Sequence, residues 1–445
     1  MTQRMIKAST TSRQRGFAAY RAYVARLRGL AGERRRAADW NERAIAALDG
    51  QASLELRRAI SLKTRRRFGA FFTGSSLAER LISQCNKFDD LSTIHDPSLG
   101  MGDLLLASAR KLPIGRTLKE TLKRWGHQLS GTDIHSEFVE GAKTRLVILA
   151  QQRHGMKSLG VRSISGLFPN IRVADGLAQH QAFTRASHLV LNPPFVLTAA
   201  PDGCSWSGGR ITASANFVVT ALERARPGAE LVAILPDVLR SGSFTEQWRK
   251  RVEDLGTVRF VEPYGIFDDC ADVDVFILRV TRRAKNSAAR SAPWTSTPVH
   301  IGTTVGDYFD IHVGRVVPHR DPETGKNHPY IHARCVPTWK IMREFTEFRR
   351  HAGKVYAPPL VVIRRTSRPG HPYRAAATVI AGNKSVAVEN HLIVCEPKNK
   401  TQAMCKKLMR QLKARAVNEF LDERIRCRHL TVSSVFEIPF SPSTR

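Results

Sequence analysis

Apolar positions along this chain change their spacing twice. Between residues 14 and 60, as in "RGFAAYRAYVARLRGLAGERRR", apolar side chains recur three and four apart with arginines between them, which predicts amphipathic helices. From Thr93 to Thr281 short β-rich runs alternate with helical segments. The runs "LSTIHDPS", "HQLSGTDI", "NIRVAD", "SHLVLNPP", "ELVAILP", "TVRFVEPY" and "VDVFILRVT" read as strands, and "GDLLLASARKL", "SEFVEGAKTRLVILAQQ" and "ANFVVTALERA" as the helices between them. Such alternation predicts βαβ units and a mostly parallel, doubly wound α/β sheet. The last two runs follow one another closely, so the final strand is expected to be antiparallel. A Ser/Ala/Arg/Pro/Thr stretch predicts a linker over 286–299. Beyond it, "APPLVVIRRTS", "AAATVI", "KSVAVENHLIVCEP" and "TVSSVFEIPF" predict a β-rich region interrupted by a basic helix around Lys406–Ile425. The expected organisation is a basic helical extension (1–60), a catalytic domain (61–285), the linker and a second domain (300–445).

Charge sharpens this picture. Seventy Lys/Arg against 39 Asp/Glu leave a net charge of +31 over 445 residues, an excess that points to a polyanionic partner such as nucleic acid. Residues 1–70 carry 17 basic and 5 acidic side chains, and residues 296–445 carry 25 and 12. The basic excess therefore sits mainly on the flanks of a more balanced middle. No stretch approaches the roughly 18 apolar residues of a membrane span, and the N-terminus has no apolar core of a secretory signal. Seven scattered cysteines without a CxxC pair favour neither a disulfide framework nor a zinc site, and a reducing cytoplasm is the expected compartment. No metal is expected.

In a doubly wound sheet ligands lie beyond the carboxyl ends of the strands, so the strand-end residues carry the candidate chemistry. The first strand ends in Asp96-Pro97-Ser98-Leu99-Gly100-Met101-Gly102, where a G-x-G turn lets the backbone approach a ligand; Leu105 replaces the third glycine of the dinucleotide fingerprint. The second ends at Asp133, a position suited to a ribose diol, and the third at Asp175, suited to accept from an exocyclic amine. Each of these acids taken singly also suits a helix N-cap. The fourth strand ends in Asn192-Pro193-Pro194-Phe195. Two prolines cannot donate to a ladder, so they stop the strand and present a stiff rim of one amide, bare carbonyls and an aromatic face.

These residues resemble an S-adenosylmethionine-dependent adenine-N6 DNA methyltransferase of the γ motif order, including modification subunits of type I and fused type II restriction-modification systems. The family's F-x-T-P-x-x-L-A segment is matched by Phe71, Thr73, Leu77 and Ala78, with Gly74 where proline is usual. Its D-P-x-x-G-x-G is matched by Asp96, Pro97, Gly100 and Gly102, and its N-P-P-F by Asn192–Phe195. The resemblance covers residues 60–282 strongly. It implies a Rossmann-like, seven-stranded class I methyltransferase sheet. It also implies that Phe71, Thr73, Asp96, Pro97, Gly100, Gly102, Asp133, Asp175 and Asn192 hold S-adenosyl-L-methionine. Asn192, Pro193, Pro194 and Phe195 would then form the catalytic rim, with Phe195 stacking on the target base and Phe267 on its opposite face. Over 300–445 the resemblance is looser: "LTVSSVFEIPFSP" is similar to the closing strands of target-recognition domains. The implied partners are double-stranded DNA and a separate specificity or restriction subunit.

Two other readings remain open. RNA base methyltransferases share the Asn-Pro-Pro-aromatic rim, as do protein-glutamine methyltransferases; the Phe-x-Thr segment before the sheet and the basic region after it favour DNA. A non-catalytic DNA-binding or specificity subunit would need a broken cofactor loop, and every loop residue but Gly74 follows the pattern. Glu396-Pro397-Lys398 mimics half of a nuclease site, but no Asp lies between Asp321 and Asp422 to complete it, so it reads as a strand-end turn.

Overall fold

A computed structural model describes residues 18–33, 38–155, 164, 166–268, 273–284, 289–295 and 302–442. By its contacts the chain divides into two units: 1–239 with 246–293, and 240–245 with 294–445.

The first unit begins with four helices: α1 (Arg21–Gly32), α2 (Trp40–Leu48), α3 (Gln51–Ala59) and α4 (Leu62–Phe68). After α5 (Ser75–Ile82) the chain enters the sheet through β1 (Ile94–Asp96). There follow α6 (Asp103–Lys111), α7 (Leu118–Gln128), β2 (Leu129–Asp133), α8 (Ser136–Arg153), β3 (Ile171–Val173), α9 (His180–Arg185) and β4 (His188–Leu191). A small hairpin, β5 (Leu197–Ala199) with β6 (Arg210–Thr212), leads to α10 (Ala213–Arg224), β7 (Glu230–Pro236), α11 (Glu246–Leu255), β8 (Gly256–Ile266) and β9 (Asp274–Arg282).

Seven of these strands form one sheet in the order β3-β2-β1-β4-β7-β9-β8. The pairs among β3, β2, β1, β4 and β7 are parallel, while β9 runs antiparallel between β7 and β8. All four residues of His188–Leu191 are buried because a central parallel strand is covered on both faces. The strand order reverses between β1 and β4, which is where such a sheet opens a crevice at its carboxyl edge.

The described residues of this N-terminal stretch, 18–33 and 38–60, pack into the first unit. Thirteen of the 18 residues of α8 are buried, and a helix buried all round must be covered on both sides. The sheet covers one side. Helices α1 and α2 cover the other, and Tyr20, Leu27, Trp40 and Leu48 share one core with Leu105, Phe138 and Leu146. The ion pairs Arg21–Glu137 (2.9 Å), whose carboxylate is buried, and Arg28–Glu140 fasten the same seam.

In the second unit β10 (Phe309–Val313), β17 (Leu392–Pro397), β14 (Leu360–Arg364), β15 (Ala377–Ile380) and β12 (Ile341–Met342) form one sheet in that order. A second joins β13 (Phe348–His351), β11 (Lys326–Ile331) and β16 (Ala387–Val388). The expected basic helix is two helices, α12 (Gln402–Gln411) and α13 (Arg415–Arg424). The expected closing strand at "TVSSVFEIPF" is instead helical over α14 (Val432–Phe436). Thr431 caps it: its hydroxyl accepts from the Ser434 N–H while Ser434 Oγ accepts from the Thr431 N–H, a capping box that overrides the β propensity of the valines.

Candidate active site

The first four parallel strands end side by side. Asp96 pairs with Gly131 in register, Asp133 with Val173 and Leu191 with Ala233, so the tips bearing Asp96, Asp133, Asp175 and Asn192 face the same edge of the sheet.

Buried Asp96 closes a tight turn by accepting from the Ser98 N–H (2.9 Å). The loop beyond it is tied to β2 three times: Leu99 N donates to the Thr132 carbonyl (2.9 Å), Gly100 N to Asp133 Oδ2 (3.0 Å) and Thr132 Oγ1 to the Pro97 carbonyl (3.3 Å). Asp133 Oδ1 accepts from the His135 N–H (2.9 Å). Gly102 adopts φ +79°, and a Cβ there would sit 2.9 Å from that of Ala142, so the turn into α6 requires glycine. Desolvation pushes Asp133 up to about 6 and Asp96 up to about 7, against the backbone donors that favour their ionised forms; Asp133 and Asp103 further raise Asp96. The loop thus sits among carboxylates that would gain from a cationic or hydroxyl-bearing ligand.

Asp175 is exposed and takes the N-cap role, its Oδ1 accepting from the Leu177 N–H (3.0 Å). Its neighbour explains the A-D-G spelling. A Cβ on Gly176 would lie 1.8 Å from the Pro97 carbonyl oxygen, so only glycine lets the third strand's loop pack against the Asp96-Pro97 turn.

Asn192 follows the last residue of β4. Its Nδ2 donates to Thr73 Oγ1 (2.9 Å), which leaves Oδ1 as the acceptor available to a substrate. Pro194 packs so closely on Gly69, the left-handed C-cap of α4, that a Cβ there would come within 2.5 Å of the ring. Arg66, Phe71, Asn192, Pro193, Pro194, Phe195 and Phe267 are among the residues lining one cavity of about 180 Å³.

Several of the expected site residues take definite places here. Phe71, expected with the cofactor, lines this cavity, with the Arg65 guanidinium 5.4 Å from its ring. It is Phe72 that packs within 3.4 Å of the point where a Gly100 Cβ would stand, and its ring joins Tyr20 and Phe138. Phe195 and Phe267 were expected on opposite faces of a base. They touch edge to face, with centroids 5.4 Å apart and planes at 72°. A base between two rings needs about 7 Å, two contacts of roughly 3.5 Å, so Phe267 must move before anything stacks there. The departure at Gly74 also has a reason: it sits at φ +73° and its N–H donates to Asp103 Oδ2 (3.1 Å), and proline can do neither.

Sequence reading missed Ile134, whose side chain is 41% exposed directly after Asp133 and offers an apolar surface at the strand tip. It also missed buried Arg145, hidden because an arginine in a helix usually signals a solvated face.

No protein-family profile and no curated protein sequence matches the chain. Among solved structures it is similar to the type IIL restriction-modification enzyme MmeI in complex with DNA, at 11% identity over 87% of this chain and 67% of that one, with a TM-score of 0.51. It is also similar to the type IIG restriction endonuclease BpuSI (14% identity, 85% of this chain, 58% of that one, TM-score 0.40). A third is a putative class I S-adenosylmethionine-dependent methyltransferase from Listeria monocytogenes (16%, 55% and 71%, TM-score 0.37). These are likenesses of fold alone, and this chain's first unit is a mixed, parallel-rich α/β sheet of seven strands.

Proposed function

We propose that this protein transfers a methyl group from S-adenosyl-L-methionine to the exocyclic N6 amine of adenine in DNA, as a site-specific modification enzyme of a restriction-modification or related defence system. One observation carries this reading: the Asn192 amide is held by Thr73 with its oxygen left for a ligand, on a proline-stiffened rim in an aromatic-lined cavity.

The residues present fit the cofactor. Glycines at 100, 102 and 176 let the strand-end loops close against Phe72, Ala142 and the Pro97 carbonyl, and Asp133 offers a carboxylate suited to a ribose diol. Asp96 shapes the loop, Ile134 would lie against the purine, and Asp175 would accept from its amine while capping its own turn. When bound, the cofactor supplies an electrophilic methyl group.

The chain's own part is to prepare the acceptor. An adenine amine is a poor nucleophile because its lone pair is delocalised into the ring. Asn192 Oδ1 and the Pro193 carbonyl would each accept one amine proton, drawing the nitrogen towards sp³ and freeing the pair. Both acceptors are fixed in advance, so little reorganisation is needed at the moment of reaction. Holding the amine in line supplies proximity worth up to several kcal/mol. Phe195 would stack on the base. A base inside a duplex cannot reach this rim, so it must flip out at a cost of about a few kcal/mol.

The net charge of +31 supports a nucleic-acid substrate, and MmeI, with which the chain shares its fold, was solved in complex with DNA. The test is incubation with radiolabelled cofactor and genomic DNA or total RNA, followed by nucleoside analysis. Label in N6-methyladenine of DNA is expected; label confined to RNA or to protein would overturn the substrate assigned.

A further inference from the structure

The acceptor amide is not held by the sheet alone. A primary amide has two orientations related by a half-turn, and only the one with oxygen facing the cavity can accept an amine proton. In the orientation observed, Asn192 Nδ2 donates to Thr73 Oγ1 at 2.9 Å, which anchors the amide with its oxygen left over. Thr73 lies in the turn before α5, and this turn is fixed from below. The N–H of Gly74 donates to Asp103 Oδ2 (3.1 Å), and Asp103 Oδ1 accepts from Arg145 Nη1 (2.8 Å). The Arg145 side chain is 1% exposed. Its guanidinium also donates to the Met101 carbonyl in the G-x-G loop (2.6 Å) and to the carbonyls of Ala47 (2.8 Å) and Leu48 (3.3 Å). Those two carbonyls end α2, where a helix leaves its acceptors unsatisfied. Ser75 Oγ donates to Asp49 Oδ1 (2.6 Å) beside them.

We infer that Thr73 is a positioning residue for the acceptor amide of Asn192, and that the Asp103–Arg145 pair, seated on the end of α2, is the post that holds it. The chain of contacts runs from Asn192 through Thr73, Gly74, Asp103 and Arg145 to the N-terminal helices, and Arg145 grips the cofactor loop on the way. Acceptor geometry and loop geometry are therefore set by one buried ion pair. Its kinetic consequence rests on the methyl-transfer reading; the orientation of the amide does not.

Two measurements test it. Thr73→Val keeps the shape and removes the hydroxyl. At saturating cofactor its single-turnover rate should fall about 10- to 100-fold, since a misplaced reacting group costs that much. Cofactor Kd by calorimetry should change less than about twofold, and Thr73→Ser should restore most of the rate. An unchanged rate with weakened cofactor binding would overturn the inference, because Thr73 would then serve the cofactor. The second measurement needs no activity. In protein labelled with ¹⁵N-asparagine, the Asn192 side-chain NH₂ signal, identified by its loss in Asn192→Asp, should exchange with water faster in Thr73→Val and in Asp103→Asn than in the wild type. Equal exchange in all three overturns the inference whether or not the protein methylates. Slowed wild-type exchange in a protein that methylates nothing would leave the positioning intact and sink only the functional reading.

Discussion

At the scale of single residues, the prediction that matters most concerns Asn192. Asn192→Ala removes one of the two acceptors proposed for the amine and should lower methyl transfer about 10²- to 10³-fold, the usual cost of one preorganised hydrogen-bonding group, while cofactor affinity measured by calorimetry stays near wild type. The carboxylates make a second prediction with a definite sign. Asp133 and Asp96 titrate near 6 and 7, above the ordinary value of about 3.9. Between about pH 4 and 7 the folded protein therefore binds more protons than the unfolded chain, and these two groups stabilise the ligand-free protein increasingly as pH falls through that window. Cofactor binding should run the other way. An ionised Asp133 accepts from ligand hydroxyls better than a protonated one, so affinity should drop as pH is lowered from 8 to 5 with a midpoint about 6, and Asp133→Asn should flatten that dependence. A titration by calorimetry that shows no inflection would place the ligand contact elsewhere. Gly176→Ala is a purely steric test: its Cβ would overlap the Pro97 carbonyl, so a lower melting temperature and weaker cofactor binding are expected together.

At the scale of elements, α8 decides what can be removed. Deleting residues 1–60 would strip the cover from a helix with 13 buried residues and leave Arg145 without the Ala47 and Leu48 carbonyls. The truncated chain should be aggregated or molten by near-ultraviolet circular dichroism; a soluble, cooperatively folded 61–445 would count against this packing. The same helix shows where the sequence stops being readable. Strand ends are written in Pro, Gly and Asp, residues whose backbone geometry or capping is local, and so Asp96, Asp133, Asp175 and Asn192 were all legible as strand tips. Arg145 and Gln151 look like surface residues of α8, and nothing local says that their partners are carbonyls about a hundred residues earlier in the chain. Helix α14 failed for the opposite reason: Thr431 and Ser434 are a local capping signal, but the valines between and after them spoke for a strand. The edge-to-face contact of Phe195 and Phe267 was out of reach as well, since a motif names the rings without giving their spacing.

At the scale of the whole molecule, charge is the quantity to test. With a net charge of +31, binding to duplex DNA should weaken steeply with added salt, the logarithm of the association constant falling with a slope of about –0.9 per phosphate contacted. Fluorescence anisotropy across a range of potassium chloride concentrations reads that slope directly, and a flat response would assign the charge another purpose.

The contact between Phe195 and Phe267 reaches further than its size. Paired rings are worth roughly 0.5–1.5 kcal/mol beyond the area they cover, and here they close the gap that a base stacked between them would need. A visitor must part them first. A loose nucleoside has only its own ring to offer in exchange, whereas a base on a polymer gripped along its length can lean on every other bond the protein makes to that polymer. On the proposed function the closed aromatic pair would act as a threshold: it would disfavour free nucleosides and admit a base that arrives already held on its polymer.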